Sequence, residues 1–459
     1  MRNFISRQSR TFVRCKRAMK FGSFAALVVL FVLLETCFLI LITNTWPPPN
    51  PTGCRDDHTE LVTIPEIRAE IAFKNCGALF EEGTNISKLV AEVETTDQTP
   101  QQRGANEYLN MVSDRDAFRR GRKYILHPLT ETEHQFPIAF SILIYKDLER
   151  FERLLRMIYR PQNYYCVHVD AKSPDEFMAN VTGITDCFPN VFLSPERYKV
   201  EWGELSVLQP EISCMKQLLM MSKSWKYFIN LTGHEAPLKT NYELVNILKT
   251  YNGANDVQGT IRRSFPERYA TQLKYRPLPD GVTVVRGAVH VVLSRGFVEF
   301  ATHAPVAKYL YNWFANTTIP DEYFFATLNH NPQLGAPGAY TGKIHETDPV
   351  KLPFLARYKI WRMGPVHPCA GDSWRNGICV FTAGDLPTLS RRPELFANKF
   401  EPSKSPVGFD CLEELYFNRT REQFLDGLSA STIDLSYYKS LAYVSDHVKI
   451  AAPSARLTV

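Results

Sequence analysis

Residues 138–170 read IAFSILIYKDLERFERLLRMIYRPQNYYCVHVD. Ile138 to Ile144 is a charge-free run, short enough to be a strand buried on both faces. The apolar positions then change spacing: Leu148, Phe151, Leu154, Leu155 and Ile158 fall on one side of a helix. Tyr164 to Val169 returns to β-character and ends on Asp170. Two strands joined through a helix pair in parallel, with the helix lying across the sheet. The alternation continues downstream. Ser173-Pro174-Asp175-Glu176 predicts a helix start, with Ser173 and Glu176 as a capping box and Pro174 at the first position. A strand over 190–194, a helix over 205–222 and a strand over 226–232 follow, and Val284–Leu293 reads as one more strand. Such a series predicts an α/β domain with a mainly parallel central sheet.

The 459 residues are 44% hydrophobic and carry a formal charge of +5, enough for a sizeable core. Seven basic residues, from Arg2 to Lys20, stand in residues 1–20 without a single acid, so the remainder carries about −2. That distribution argues against a nucleic-acid partner. Residues 21–43, FGSFAALVVLFVLLETCFLILIT, are long enough to span the hydrocarbon layer, which takes roughly 20 residues. No small-residue cleavage site follows, and the positive flank stays cytosolic. The expected topology is a cytosolic tail (1–20), a signal anchor (21–43), a stem and lead-in (44–135), and a lumenal domain (136–459): a single-pass type II membrane protein. Glu35 is costly inside a membrane unless protonated or paired.

Eight cysteines lie beyond the anchor: Cys54, Cys76, Cys166, Cys187, Cys214, Cys369, Cys379 and Cys411. An even number in an oxidising compartment predicts disulfides, and none has the spacing of a zinc site. Glycosylation sequons stand at Asn85, Asn180, Asn230, Asn316 and Asn418. Asn230 falls inside a predicted strand and is expected to be unmodified; the other four are candidate glycan sites.

Three stretches could carry chemistry. Asp170 ends a strand, where an acid either accepts hydrogen bonds from a ribose or base edge or caps the next turn. Pro320-Asp321-Glu322-Tyr323-Phe324 opens a helix with two acids, which either stabilise the helix dipole or supply a general base beside an aromatic wall. The segment 374–400 brings Arg375, Arg391, Arg392 and Lys399 together from several loops, a set able to neutralise a diphosphate or to form a solvated basic face. In FINLTGHEAPLKTN, residues 228–241, a strand breaks at Gly233 into a turn bearing His234 and Glu235, ahead of a Thr240/Glu243 capping box. There is no GxGxxG, GxxxxGK or GxSxG motif.

IYRPQNYYCVHVDAKS (158–173), SCMKQLL (213–219), WKYFINLTGHEAPLKTN (225–241), PDEYFFAT (320–327), CVFTAGDL and LFANKF (379–400) together resemble the core-2/I-branching β-1,6-N-acetylglucosaminyltransferase family. The resemblance spans about 136–420 and implies a GT-A-type α/β sandwich, Golgi residence, and inverting transfer from a UDP-sugar donor without a metal or other cofactor. Asp114-Arg115-Asp116 fits a DxD metal pattern but lies ahead of the sheet, so no metal site is assigned to it.

By position, the resemblance makes Glu322 the catalytic base, Asp170 the reader of the uridine end and Lys399 a diphosphate ligand. The family's diphosphate arginine falls on Asn376, leaving Arg375 and Arg391 as candidates. Arg268 and Trp361 match acceptor contacts, and Glu235 takes an Asp position read as shaping the cleft or touching a sugar. A family acceptor Glu is here Gln258, and a Tyr is Met363. The implied acceptor is core 1 (Gal-β-1,3-GalNAc) of a mucin-type O-glycan on a glycoprotein, receiving N-acetylglucosamine on a 6-hydroxyl. UDP-glucose or UDP-xylose as donor, and a silent glycan-binding protein on the same fold, are the alternatives. The implied disulfides are Cys76–Cys411, Cys166–Cys214 and Cys369–Cys379. Cys54 and Cys187 remain, either as a pair or with Cys54 linking a homodimer.

Overall fold

The computed structural model describes residues 76–81, 88, 105–262, 264–343, 353–363, 368–401, 404, 406–425 and 433–449. They belong to a single compact unit, Val62–Val459. The predicted tail and anchor, Cys54 and Asn85 lie outside the described residues. Among the described residues no helix is long and apolar enough to cross a membrane.

Five strands form the central sheet: β1 (Ile138–Ile144), β2 (Tyr164–Val169), β3 (Val191–Leu193), β4 (Tyr227–Thr232) and β6 (Val292–Ser294). Their order is β3-β2-β1-β4-β6, with β6 alone antiparallel. Alternate residues serve opposite faces. Phe140, Ile142, Tyr165, Val167, Ile229 and Leu231 join one apolar cluster; Ala139, Cys166, Phe228 and Leu293 join the other. Helices Leu148–Ile158, Asp175–Thr185, Asn241–Tyr251 and Pro406–Leu425 contribute to the first cluster. Helices Gln209–Met221, Arg295–His303, Pro305–Phe314 and Phe324–Asn329 contribute to the second. A sheet between two helical layers is the expected three-layer α/β arrangement.

Several local expectations need correction. The helix after β2 starts at Asp175 with Pro174 at its cap and no side-chain cap bond, because Ser173 Oγ instead donates to Tyr145 O at 2.8 Å. The Thr240/Glu243 capping box forms as read. Val284–Leu293 is a strand only at its end: Arg286 makes an isolated bridge to Thr260, and regular pairing begins at Val292. The lead-in does not all stand off as a stem. Tyr108 and Phe118, from helices Ala105–Met111 and Arg115–Gly121, are buried in the first cluster. Asp114 caps the second of these helices, and Asp116 pairs with Arg119, so both acids have structural work.

Cys76–Cys411, Cys166–Cys214 and Cys369–Cys379 are bonded as the resemblance implied. The first ties the lead-in to the helix Pro406–Leu425 across 335 residues. Cys187 is a buried thiol whose proton points to Gly183 O at 3.3 Å. Asn180 is not the glycan site expected, since it is buried in its helix and donates to Glu176 O. Asn230 is likewise buried, donating to Val289 O and accepting from Val291 N. Asn316 is exposed and Asn418 is half-buried.

The interior holds titratable groups of two kinds, and together they set a pH optimum for stability. Burial pushes His168, His234 and His330 down to about 4 and His290 to about 3. Each therefore contributes stability above the unfolded value of about 6.5 that is lost as pH falls. Burial raises Glu211 and Asp321 to about 7 and Asp256 to about 8. Their contribution is present at low pH and is lost as pH rises from about 4 through those values. The four imidazoles outweigh the three carboxyls below about pH 6.5, and the carboxyls prevail above it, opposed only toward pH 8 by Lys359, which burial brings down to about 8. Thermal unfolding across pH 4–8 is expected to peak near about 6.5; a monotonic rise to 8 would contradict this balance.

Candidate active site

The carboxyl ends of parallel strands leave a crevice where ligands of α/β proteins collect. At that edge β1 runs into Tyr145, β2 into Asp170 and β4 into Gly233-His234. Asp170 N donates to Ile144 O at 2.9 Å, which seats the acid between β1 and β2. Its Oδ1 accepts from Lys172 N at 2.8 Å, and Lys172 Nζ lies 4.0 Å from Oδ2. Tyr145 stays half exposed beside His234, with Oη 3.4 Å from Nε2.

Strand β5 (Glu235–Pro237) continues from this edge and pairs with β9 (Phe396–Asn398), bringing the far end of the chain back to the crevice. Phe400 N donates to His234 O at 2.9 Å, so Lys399 sits at the same edge as Asp170 and Tyr145. Burial lowers the Lys399 pKa, Glu401 opposes that, and Arg375 adds to it. Arg375, on the hairpin of β7 (Trp374–Arg375) and β8 (Ile378–Cys379), meets the same Glu401 at 3.3 Å. Arg391 precedes β9 and lies beyond its opposite end, where Leu238 pairs with Leu395. Of the two candidate arginines, Arg375 is the one the fold brings beside Lys399.

Glu235 needs correction. It is fully buried, with Arg357 Nε 2.9 Å from Oε2, and His290 Nε2 2.8 Å and Asn398 Nδ2 3.3 Å from Oε1. A sugar hydroxyl cannot reach it. Burial alone would raise its pKa, but the Arg357 guanidinium and the His290 bond outweigh burial and hold it at about 2. Arg357 also donates to Asn230 O and Ala356 O, clamping β4 to the segment 353–363. The chain of donors settles the tautomer of His290. Lys359 Nζ lies 3.0 Å from Nδ1 and can only donate, so Nδ1 accepts and Nε2–H is given to Glu235. Burial brings Lys359 down to about 8, with Glu235 and Glu322 opposing and Arg357 and Lys399 reinforcing the fall.

Glu322 lies in a 3₁₀ turn, Pro320–Glu322, ahead of the helix Phe324–Asn329. Its backbone oxygen accepts from Gly287 N at 2.6 Å. Gly287 is there for close approach, since a Cβ would stand 2.1 Å from Gln258 O. The Glu322 carboxylate is about a quarter exposed at 23%, and its Oε2 meets two guanidiniums, Arg268 Nη1 at 3.2 Å and Arg286 Nε at 2.8 Å. Both cations also stack on Phe265, at 4.6 and 4.7 Å from the ring centre. Trp361 is 51% exposed, with Lys359 Nζ 5.7 Å from its ring.

The fold thus makes two groupings. Asp170, Lys399 and Arg375 collect at the strand ends, while Glu322, Arg268 and Trp361 line the part that Lys359 couples to them. Sequence reasoning missed Arg286, His290, Arg357 and Lys359. Arg286 belongs to a stretch read as a plain strand, and only its isolated pairing with Thr260 turns it toward Glu322.

The family profile of the core-2/I-branching enzymes matches residues 138–390, which contain β1 to β8 and Glu322. The chain belongs to the core-2/I-branching enzyme family. Among curated relatives of this family member, the Bos taurus "beta-1,3-galactosyl-O-glycosyl-glycoprotein beta-1,6-N-acetylglucosaminyltransferase 3" is 37% identical over 67% of the chain and 73% of its own length. The Homo sapiens "beta-1,3-galactosyl-O-glycosyl-glycoprotein beta-1,6-N-acetylglucosaminyltransferase" is 36% identical over 74% and 84%. Mouse xyloside xylosyltransferase 1 superposes at a TM-score of 0.25 with 12% identity, covering 42% of this chain and 81% of its own, too loosely to bear on the fold.

Proposed function

We propose that this chain is an inverting, metal-independent Golgi glycosyltransferase of GT-A type, anchored as a type II membrane protein. It moves N-acetylglucosamine from UDP-N-acetylglucosamine to a 6-hydroxyl of core 1 on mucin-type glycoproteins, making a β-1,6 branch. The observation that supports this reading is that Glu322, a partly exposed carboxylate, and Lys399 both act on the same part-buried Lys359, with Asp170 ending β2 at the sheet edge to which Lys399 returns. The names and reactions of the relatives support it.

In the reaction, Asp170 receives the uridine end of the donor. Lys399 and Arg375 take up the negative charge that develops on the diphosphate as its bond to the anomeric carbon breaks. Glu322 accepts the proton of the acceptor hydroxyl as that oxygen attacks from the opposite side, inverting α to β. Trp361 offers an exposed ring face to the acceptor sugar.

The full-length protein, assayed with UDP-N-acetylglucosamine, UDP-glucose and UDP-xylose on core 1, is expected to transfer N-acetylglucosamine and to keep its rate in EDTA. Silence with every donor would sink the enzyme reading in favour of a glycan-binding protein. Loss of the rate in EDTA would sink the metal-free mechanism alone.

A further inference from the structure

The segment Arg357-Tyr358-Lys359-Ile360-Trp361 joins the two groupings of the site. Its backbone is pinned at both ends. Tyr358 N donates to Phe396 O at 2.8 Å, and Tyr358 O accepts from Asn398 N at 3.0 Å, so this end lies along β9, which leads into Lys399. Ile360 O accepts from Cys379 N at 2.9 Å, and Trp361 pairs with Ile378, so the other end lies on the hairpin that carries Arg375. The alternate side chains run from the interior to the crevice: Arg357 is 2% exposed and Trp361 is 51% exposed. Lys359 stands between them, part-buried, with Nζ 5.7 Å from the Trp361 ring. His290 Nδ1, 3.0 Å away, takes one N–H of an ammonium that has three to give, and the far side of the imidazole is tied to Glu235. Lys359 feels both the Glu322 carboxylate and the Lys399 ammonium, which puts it where the two halves of the site meet.

A UDP-sugar in this crevice has a direction. With its uridine at Asp170 and its anomeric carbon facing the hydroxyl that Glu322 deprotonates, the β-phosphate is the end of the diphosphate nearer the base. Lys399 shares its edge with Asp170, and Lys359, which feels Glu322, is placed for the β-phosphate. We propose that Lys359 is a further catalytic residue of this chain: its ammonium, held beside His290, donates to the β-phosphate of the donor and meets the charge left there by transfer. The electron pair of the broken bond to the anomeric carbon ends on the β-phosphate oxygen. The new bond forms to the acceptor oxygen, whose proton goes to Glu322. The idea rests on the transferase reading above. The role requires the charged lysine. Burial brings Lys359 down to about 8; Glu235 and Glu322 favour the ammonium, and Arg357 and Lys399 oppose it. His290, kept neutral by burial, accepts from it without adding charge.

The test measures binding of UDP and UMP to the full-length protein by calorimetry, in the parent, Lys359→Met and Lys359→Arg. UMP lacks the β-phosphate and serves as the internal control. Lys359→Met should weaken UDP by about tenfold or more, a charge-assisted bond's worth, and leave UMP close to the parent. Its kcat should fall by about 10²–10³-fold with acceptor KM unchanged. In the parent, UDP should weaken relative to UMP as pH rises through about 8, and Lys359→Arg should remove that fall. Thermal unfolding accompanies each variant, and the parent's own pH dependence stands in for any variant that does not fold. Unchanged UDP affinity in Lys359→Met, equal losses of UDP and UMP, or a fall above pH 8 that persists in Lys359→Arg overturns the inference and leaves the transferase reading intact. A parent that binds UDP yet transfers to no acceptor overturns the transferase reading, and one that binds neither nucleotide overturns both.

Discussion

Glu322→Gln is expected to lower turnover by about 10²–10⁴-fold while leaving donor KM close to that of the parent. The amide keeps the shape of the carboxylate but cannot take a proton from the acceptor. It also removes the negative charge that Arg268 and Arg286 share at 3.2 and 2.8 Å, so the two cations would repel across the face of Phe265. A modest destabilisation is therefore expected beside the kinetic loss. The kinetic effect must remain when activity is corrected for folded fraction. A tenfold loss or less, with normal unfolding, would remove Glu322 from the role of base and point to a group elsewhere in the crevice. Glu322→Asp is the useful companion: it restores the charge between the arginines but retracts the carboxylate by one methylene. It should recover stability more fully than rate.

The second large effect concerns the fold beneath the site. Arg357→Ala is expected to destabilise the domain by about 3–5 kcal/mol, because it strands Glu235 as an unpaired charge with no access to water. That is a large part of the ~5–15 kcal/mol that holds a typical domain together. Glu235→Ala should cost a similar amount, by leaving the guanidinium without its partner. Replacing both by apolar residues of similar size, Glu235→Leu with Arg357→Met, should recover most of the loss. Chemical denaturation of the two single variants and the double settles the matter: single losses of under about 1 kcal/mol would show that the pair is not isolated from solvent.

The pair also has a pH signature. The folded pKa of Glu235 lies below its ordinary value, so its stabilising contribution is full above about pH 4.5 and drains away as pH falls toward 2. Because β5 pairs with β9, the same substitutions should loosen the segment that carries Lys399.

The architecture was legible because burial leaves a linear trace. A strand covered on both faces must be apolar throughout, as Ile138–Ile144 is, and a helix lying on it must repeat at helical spacing, as Leu148–Ile158 does. Where the trace is diluted the reading failed. Tyr108 and Phe118 are single large residues among charges, so their segment looked like a solvated stem although both side chains are buried. Val284–Leu293 is apolar enough for a strand, but most of it lacks a paired neighbour and adopts irregular backbone.

The candidate site divides the same way. Asp170 and Glu322 could be named from the sequence, since each is tied to a local signature, a strand end and a helix start, whereas Lys399 stood out among several loop cations only through the family resemblance. By itself the sequence determined the alternating α/β domain and the family resemblance, which in turn implied the partners of six cysteines. Only the tertiary structure decided that Glu235 is locked to Arg357 and His290, that Arg375 and not Arg391 stands beside Lys399, and that Arg286 reaches the base. Those three facts depend on which side chains meet across chain separations of tens to more than a hundred residues. Hydrophobic pattern and local propensity describe each segment against its own neighbours, whereas a charge acquires its role from whatever opposite charge the fold sets against it.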